Sequence, residues 1–358
     1  MVAYIRKMAV EQKRWLDDES FRNGVALCQT IPGATAMQTS AYVGLRVRGV
    51  SGAMASFVGF GLPAFLFMMT LSALYVKTRH SPPIVSTFHG LQAIVVAIVA
   101  RATTSFGKGS LKKWQDGLIA IVAAGMFGFK VSPIFVILLA ALSALLLYER
   151  QPVGQSDVDS AREPYPLRSV LSLASLAVIG FALLLLLDRN LFHLAALMSR
   201  IDLFAFGGGF ASLPLMFHEV VEVRSWMDAS TFLNGIALGQ VTPGPIVITA
   251  TFIGYLLHGP VGGIIATVAV FLPSFVLVVA TVPCFDRLRT SPNFHRAIGG
   301  IVCSFVGLLL SVTIRFALNV PWDLPRVFLT TAAFVALSLH ADILWVVLIG
   351  SAISLIVL

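Results

Sequence analysis

Charge is what this sequence has least of. Asp, Glu, Lys and Arg make up only 12% of its 358 residues, against 57% hydrophobic, where a soluble domain is about 25% charged. So few charges cannot cover a water-facing surface, which excludes a soluble enzyme of one or two domains. The same composition excludes a disordered chain. Cysteine is scarce too: Cys28, Cys284 and Cys303 lie far apart and form no CxxC pair, which excludes a disulfide framework and a thiolate metal site. No His, Asp or Glu cluster has metal-ligand spacing, and GxSxG, P-loop and HExxH motifs are absent. No metal or cofactor is therefore expected, and a membrane-embedded enzyme has no nucleophile–base or metal constellation to rest on. The net charge of +8 comes from Lys and Arg between apolar runs, the pattern of membrane loops rather than of nucleic-acid binding. Residues 1–20 are charged and amphipathic, without the apolar stretch and cleavage site of a signal peptide.

What the chain does have is apolar runs, about twelve of them, near 24–47, 50–76, 84–106, 115–129, 131–148, 168–187, 190–217, 230–257, 259–282, 294–317, 325–339 and 341–358. Runs of about 20 apolar residues cross a bilayer as helices, while barrel strands would alternate over about 10 residues. The expected fold class is an all-α polytopic membrane protein. The one substantial hydrophilic gap, Glu149 to Pro166, reads as a linker. It suggests an amino-terminal module at 1–148, a linker and connecting helix at 149–189, and a carboxy-terminal module at 190–358.

The two modules repeat one another. From Trp15 to Gly33 and from Trp226 to Gly244, ten of nineteen positions are identical at an offset of 211. The offset then becomes 210: Thr39 meets Thr249, Gly44 meets Gly254, Leu62-Pro63 meets Leu272-Pro273, and Gly90 meets Gly300. Shared apolar composition would match leucines and valines, not Trp, Asp, Phe, Asn, Gly, Gln and Pro in order. A tandem duplication is the reading. Six spans per full copy, with 169–187 as a seventh between them, would offset corresponding helices by an odd number and invert the repeat, while a re-entrant Pro-Gly segment would change that parity. Lys and Arg are nearly balanced between the two sides of the loops, so charge does not orient the chain. The glycine-rich run Phe206-Gly-Gly-Gly-Phe210 precedes the second copy, and its partner would fall before Met1. The first copy is expected to start after its own glycine-rich segment, through a late start or through loss of that helix.

Three groups of residues are candidates for function. The first is the Pro-Gly break, Gln29-Thr-Ile-Pro32-Gly33 and Gln240-Val-Thr242-Pro243-Gly244-Pro245. Proline removes a backbone donor, and glycine loosens the chain. Two half-helices meeting there would aim free N–H groups at the gap, an anion site. Gln29, Gln240, Thr242, Thr39 and Thr249 would add neutral donors. The plainer reading is a packing kink, weakened by its recurrence in both copies. The second group is Gly207, Gly208 and Gly209, suited to unwound backbone or to close helix packing. The third is the ionisable residues at membrane depth: Arg101, Arg200 and Asp202 as candidates for charge coupling, with His89 and His218-Glu219. Arg101 and Arg200 also have an interfacial reading. Trp15 and Trp226 suit the interfacial belt, and Asp17 and Asp228 suit helix N-caps.

These residues carry a resemblance. Phe206-Gly-Gly-Gly-Phe-Ala-Ser-Leu-Pro-Leu-Met216, Trp226-Met-Asp228, Gly239-Gln-Val-Thr-Pro-Gly-Pro245 and Phe271-Leu-Pro-Ser-Phe275 resemble the chromate ion transporter family. Trp15-Leu-Asp17, Gln29-Thr-Ile-Pro-Gly33 and Gly61-Leu-Pro63 resemble the same module again. Nearly the whole chain is covered, as in the family's long two-module members. Two features depart from it: the missing glycine-rich segment, and Ala34 where the second copy has Pro245. The resemblance implies a multi-pass protein of the bacterial inner membrane, moving chromate outward to confer resistance, with protons as a coupling ion. Uptake of sulfate or another small anion is one alternative, and a truncated, non-transporting module is another. The expected partners are chromate or sulfate, the lipid bilayer and coupling protons, with a homodimer among the assemblies left open and nucleic acid excluded.

Overall fold

The computed structural model describes residues 1–149, 167–284 and 291–357. Helices α1 (Val2–Arg6, continuing as a π-helical turn Lys7–Gln12), α2 (Asp18–Thr30), α3 (Thr35–Thr78), α4 (Pro82–Ser110), α5 (Trp114–Gly128) and α6 (Pro133–Leu147) form the first copy. Helix α7 (Leu167–Leu187) stands between the copies. The second copy comprises α8 (Arg189–Phe204), α9 (Ser212–Phe217, continuing as a π turn His218–Val223), α10 (Ala229–Val241), α11 (Thr249–Thr281), α12 (Pro292–Asn319), α13 (Leu324–Ser338) and α14 (Ile343–Val357). Five of these segments are long and apolar enough to cross a membrane. Helix α7 buries none of its residues fully; Leu173 and Leu184 pack on the bundle, and Leu171, Leu176, Leu183, Leu185, Leu186 and Leu187 are exposed. The expected helical, multi-pass class is what is found.

The duplication extends to backbone irregularities. Each copy has a π turn followed by a non-glycine residue at positive φ, Arg14 at 51° and Ser225 at 50°. Each then has an aspartate N-cap: the Asp17 carboxylate accepts from Ser20 N at 2.7 Å and that of Asp228 from Thr231 N at 2.6 Å. These caps satisfy amides that the first helical turn leaves free. The Ser20 amide and hydroxyl also hold the exposed Asp17 carboxyl below its usual range.

The long helices α3 and α11 each fold back on themselves. At Arg48-Gly49 and at His258-Gly259 the dihedrals leave the helical region, with Gly49 at φ 63° and Gly259 at φ 60°, a conformation glycine adopts without a steric penalty. The two arms then pack backbone to backbone. A Cβ on Gly44 would collide with the Gly52 carbonyl, and one on Gly254 with that of Gly262.

The shorter helices before them fold back as well. Tyr42 donates its hydroxyl to Ser20 O at 3.1 Å, and a Gly24 side chain would enter the Tyr42 ring. The second copy repeats this with Gly235 against Phe252. Helix α2 and the first arm of α3 are therefore an antiparallel, re-entrant hairpin with Pro32-Gly33 at its tip. Helix α10 and the first arm of α11 are another, with Pro243-Gly244 at its tip. Each of the apolar runs 24–47 and 230–257 thus reverses at its Pro-Gly pair, as a re-entrant segment does. Helices α5, α6, α13 and α14 have 15 residues each. That is about 22 Å of helix, short of the roughly 30 Å of hydrocarbon.

The copies are inverted. Thr103 Oγ1 on α4 lies 3.2 Å from Thr313 Oγ1 on α12, its own equivalent in the repeat. Four residues further along α4, Gly107 faces Val306, which is earlier on α12. The two helices therefore run antiparallel about a pseudo-two-fold axis at the threonine pair. The copies also interlock: α12 packs on α5 and α6 of the first copy, while α4 packs on α13 and α14 of the second.

Candidate functional site

Three breaks in regular structure meet inside the bundle. Beyond the two tips, the chain reverses a third time after α8. Arg200 forms an ion pair with Glu219, although 19 residues of unbroken helix would hold them about 28 Å apart. The reversal uses Gly207 and Gly208, at φ 89° and 102°, backbone open mainly to glycine. This glycine strap runs between the two tips. On one side Gly33 N donates to Ala205 O at 2.9 Å, and Thr35 Oγ1 would lie 3.4 Å from a Gly208 side chain. On the other, a Gly209 side chain would stand 3.1 Å from Ile246 Cγ2 and 3.7 Å from Ile246 N. The structure thus gathers Pro32, Gly33, Gly207, Gly208, Gly209, Pro243, Gly244 and Pro245 in one place.

The two tips differ. Residues Ile31 to Ala34 are all buried, whereas Pro243 is exposed and Gly244 half-buried. The strap explains the first: Ala205 covers Gly33, and Ser274 of α11 reaches in, its Oγ accepting from Ala34 N at 3.4 Å. The second tip meets Ala64 of α3 through Gly244 and the strap through Ile246, and leaves Pro243 exposed. Its 3₁₀ turn Ile246–Ile248 starts the long helix; Ile248 N donates to Pro245 O at 3.0 Å, and the Ile246 and Val247 amides come before any acceptor within the helix. The Gln240 side-chain nitrogen is buried without a partner. The second tip therefore presents unused donors.

The threonines correct the sequence expectation. Thr39 donates to Thr35 O, Thr242 to Gly239 O, and Thr249 to Ile246 O, each at 2.8 Å. Each hydroxyl has one proton and spends it on its own helix, so none is a free donor to an anion. Gln29 is exposed and, unlike Gln240, is not held inside the bundle. Among the charges, the half-buried Arg101 reaches Leu337 O at 3.4 Å and ties α4 to α13, while Arg200 is held by Glu219. Neither points at a tip. Asp202 does: its Oδ2 accepts from Ser274 N and from Ser274 Oγ, both at 2.7 Å, beside the first tip. His89 is half-buried on α4. His218 lies 3.0 Å from Glu222, which also pairs with Arg315. That ion-pair cluster borders a cavity of about 480 Å³ lined also by Lys130 and Asn319, at the ends of α5 and α12. Trp226 stacks under the Arg224 guanidinium at 5.1 Å, and Trp15 is exposed. A smaller groove of about 310 Å³, between α3 and α11, is lined by apolar side chains and Thr267, whose hydroxyl is spent on Gly263 O.

Sequence reasoning passed over Gln38 and Ser274, both fully buried at the first tip. It also passed over Gln92, whose amide donates to Ser230 Oγ at 2.6 Å and Asn234 Oδ1 at 2.8 Å. Asn234 in turn donates to Tyr75 OH at 3.1 Å, so α4, α10 and α3 share one buried polar network. The available signal was the cost of polar side chains in apolar helices, which makes each of them worth a partner search.

Inverted copies, re-entrant tips and unwound backbone buried at the centre of a membrane bundle define a repeat-built membrane transporter. The comparisons with known proteins narrow that class. The model of the chromate transporter family matches residues 1–145 and 192–355. An uncharacterized transporter of Methanocaldococcus jannaschii is 43% identical over 359 residues, covering 100% of this chain and 89% of the relative. A chromate transport protein of Pseudomonas aeruginosa is 30% identical over 329 residues (87% and 75%), and one of Cupriavidus metallidurans 28% identical over 337 residues (92% and 80%). No solved structure matches. The chain belongs to the chromate transporter family, a family of transporters of chromate-type anions and not of enzymes.

Proposed function

We propose that the protein exports chromate across the plasma membrane and thereby confers chromate resistance, gripping the dianion at the open second tip. The observation that carries this reading is the set of unused donors there, Gln240 Nε2 and the first amides of the Ile246 turn, beside the flexible strap Gly207–Gly209. Helix N-termini favour anions through free N–H groups and the positive end of the dipole. Neutral donors also release the ion more readily than an arginine would. Pro243, Gly244 and Pro245 shape this tip and expose it. Pro32, Gly33 and Thr39 belong to the opposite tip, which the strap seals. Transport then exchanges which tip is covered, as inverted repeats do. The modules proposed for this exchange are 1–148 and 190–358, joined through 149–189.

The test is chromate content in cells. Cells making the protein should accumulate less chromate than controls, and Gln240→Leu and Pro243→Ala should cancel the difference. Equal content with the protein verified in the membrane would refute export. Uptake of sulfate is the second reading, because donors of this kind recognise tetrahedral dianions by size and charge. Labelled sulfate entering vesicles, with competition by chromate, would favour it.

A further inference from the structure

The sealed first tip encloses a carboxylate with no countercharge. Asp202 is fully buried; its Oδ2 takes both Ser274 bonds, and its Oδ1 has no partner. Gln38, equally buried, spends its amide nitrogen on Pro32 O at 2.6 Å and leaves Oε1 without a partner. The two groups border one spot: Ser274 Oγ and Gln38 Nε2 both lie within 3 Å of where a Gly33 side chain would stand. The charges on neighbouring elements are engaged elsewhere. Arg200 and Arg224 pair with Glu219, and His218 and Arg315 with Glu222. On α2 the buried titratable group is the Cys28 thiol, and α11 brings Ser274.

An ionised carboxylate and an orphan acceptor bordering one buried spot are costly. One proton relieves both: on Asp202 Oδ1 it turns an empty acceptor into a donor, and Gln38 Oε1 is the free acceptor in its neighbourhood. A metal ion would need about six oxygen ligands, and the side chains here offer two unpartnered oxygens. We infer that Asp202 and Gln38 form a proton-binding site at the first tip, filled when the strap seals that tip. The inference deepens the transport reading by assigning the residues that hold the expected coupling proton and rests on that reading for its purpose, though not for its test.

The second tip has no such set of residues. The equivalent of Ser274 is Ala64, and that of Gln38 is Ile248. The copies have divided the work: one tip is lined by empty acceptors, the other by empty donors. Loss of the proton leaves two bare acceptors inside the seal, so protonation favours the sealed tip and deprotonation opposes it.

Infrared difference spectroscopy of the purified full chain in lipid nanodiscs, between neutral and alkaline pH, tests this without any transported anion. The carbonyl stretch of a neutral, buried carboxylic acid should be present in the wild type, absent in Asp202→Asn, and shifted but retained in Gln38→Leu. Helical content measured on the same samples controls for folding. A neutral-carboxyl band that survives in Asp202→Asn, no such band in the wild type, or a band erased by adding sodium at constant pH would each overturn the proton site. Failure here leaves chromate export standing. Failure of the cell assay with the infrared result intact would remove the export reading alone.

Discussion

Replacing Gln240 by Leu separates binding from stability, because the two respond with opposite signs. In the empty protein the Gln240 side-chain nitrogen is buried without a partner. A buried polar group left unsatisfied costs about 1–3 kcal/mol. Leucine has similar size and no polar atoms, so it removes that cost. The empty variant should melt at the same temperature as the wild type or a few degrees higher. With an oxyanion at the second tip, the amide becomes a donor to a charged acceptor, worth about 1.5–3 kcal/mol. Its loss should weaken binding about 10- to 100-fold. Equilibrium dialysis of chromate against purified protein reads the affinity, and thermal unfolding without chromate reads the stability. Gln29→Leu, at the exposed equivalent position, should change affinity by no more than about twofold, the scale of an ordinary surface substitution. A Gln240→Leu protein that is less stable and binds chromate normally would refute the reasoning: the amide would then be serving the fold, not the ion.

Two further predictions test the scaffold. Gly254→Ala drives a methyl into the Gly262 backbone carbonyl, whereas Gly259→Ala meets nothing within 4 Å and suffers only its positive φ. Unfolding midpoints should therefore fall further for Gly254→Ala, by the roughly 1–3 kcal/mol of overpacking or more, than for Gly259→Ala, at about 1–2 kcal/mol. In the second prediction, cysteines placed at Thr103 and Thr313 should cross-link readily within one chain, since the hydroxyls they replace lie 3.2 Å apart. Failure to cross-link under mild oxidation would contradict the antiparallel pairing of α4 and α12.

Much of the architecture was legible in the sequence because the copies share polar and structural residues in order. Trp15 and Trp226, Asp17 and Asp228, and the two Pro-Gly pairs fix the register. The folding-back of the hairpins was not. Two helices of 13 residues around a break have the same hydrophobic period whether they continue in line or reverse. The contacts of Gly24 with Tyr42 and of Gly235 with Phe252 tell the two apart. The threonine hydroxyls were misread as donors for the same reason: a hydroxyl that serves its own helix looks the same in sequence as one that serves a ligand. Gln38 and Ser274 escaped because a search for identities between copies passes over positions where they differ. Ser274 against Ala64 and Gln38 against Ile248 are such differences. They mark the tip that carries the buried carboxylate.

The most direct test of an oxyanion held at the second tip is to locate chromium itself, by anomalous scattering from crystals of the protein soaked in chromate. The account predicts one dominant peak within hydrogen-bonding reach of Gln240 Nε2 and the Ile246 amide. A dominant peak beside Arg315 and Lys130, or at the first tip beside Asp202, would contradict it.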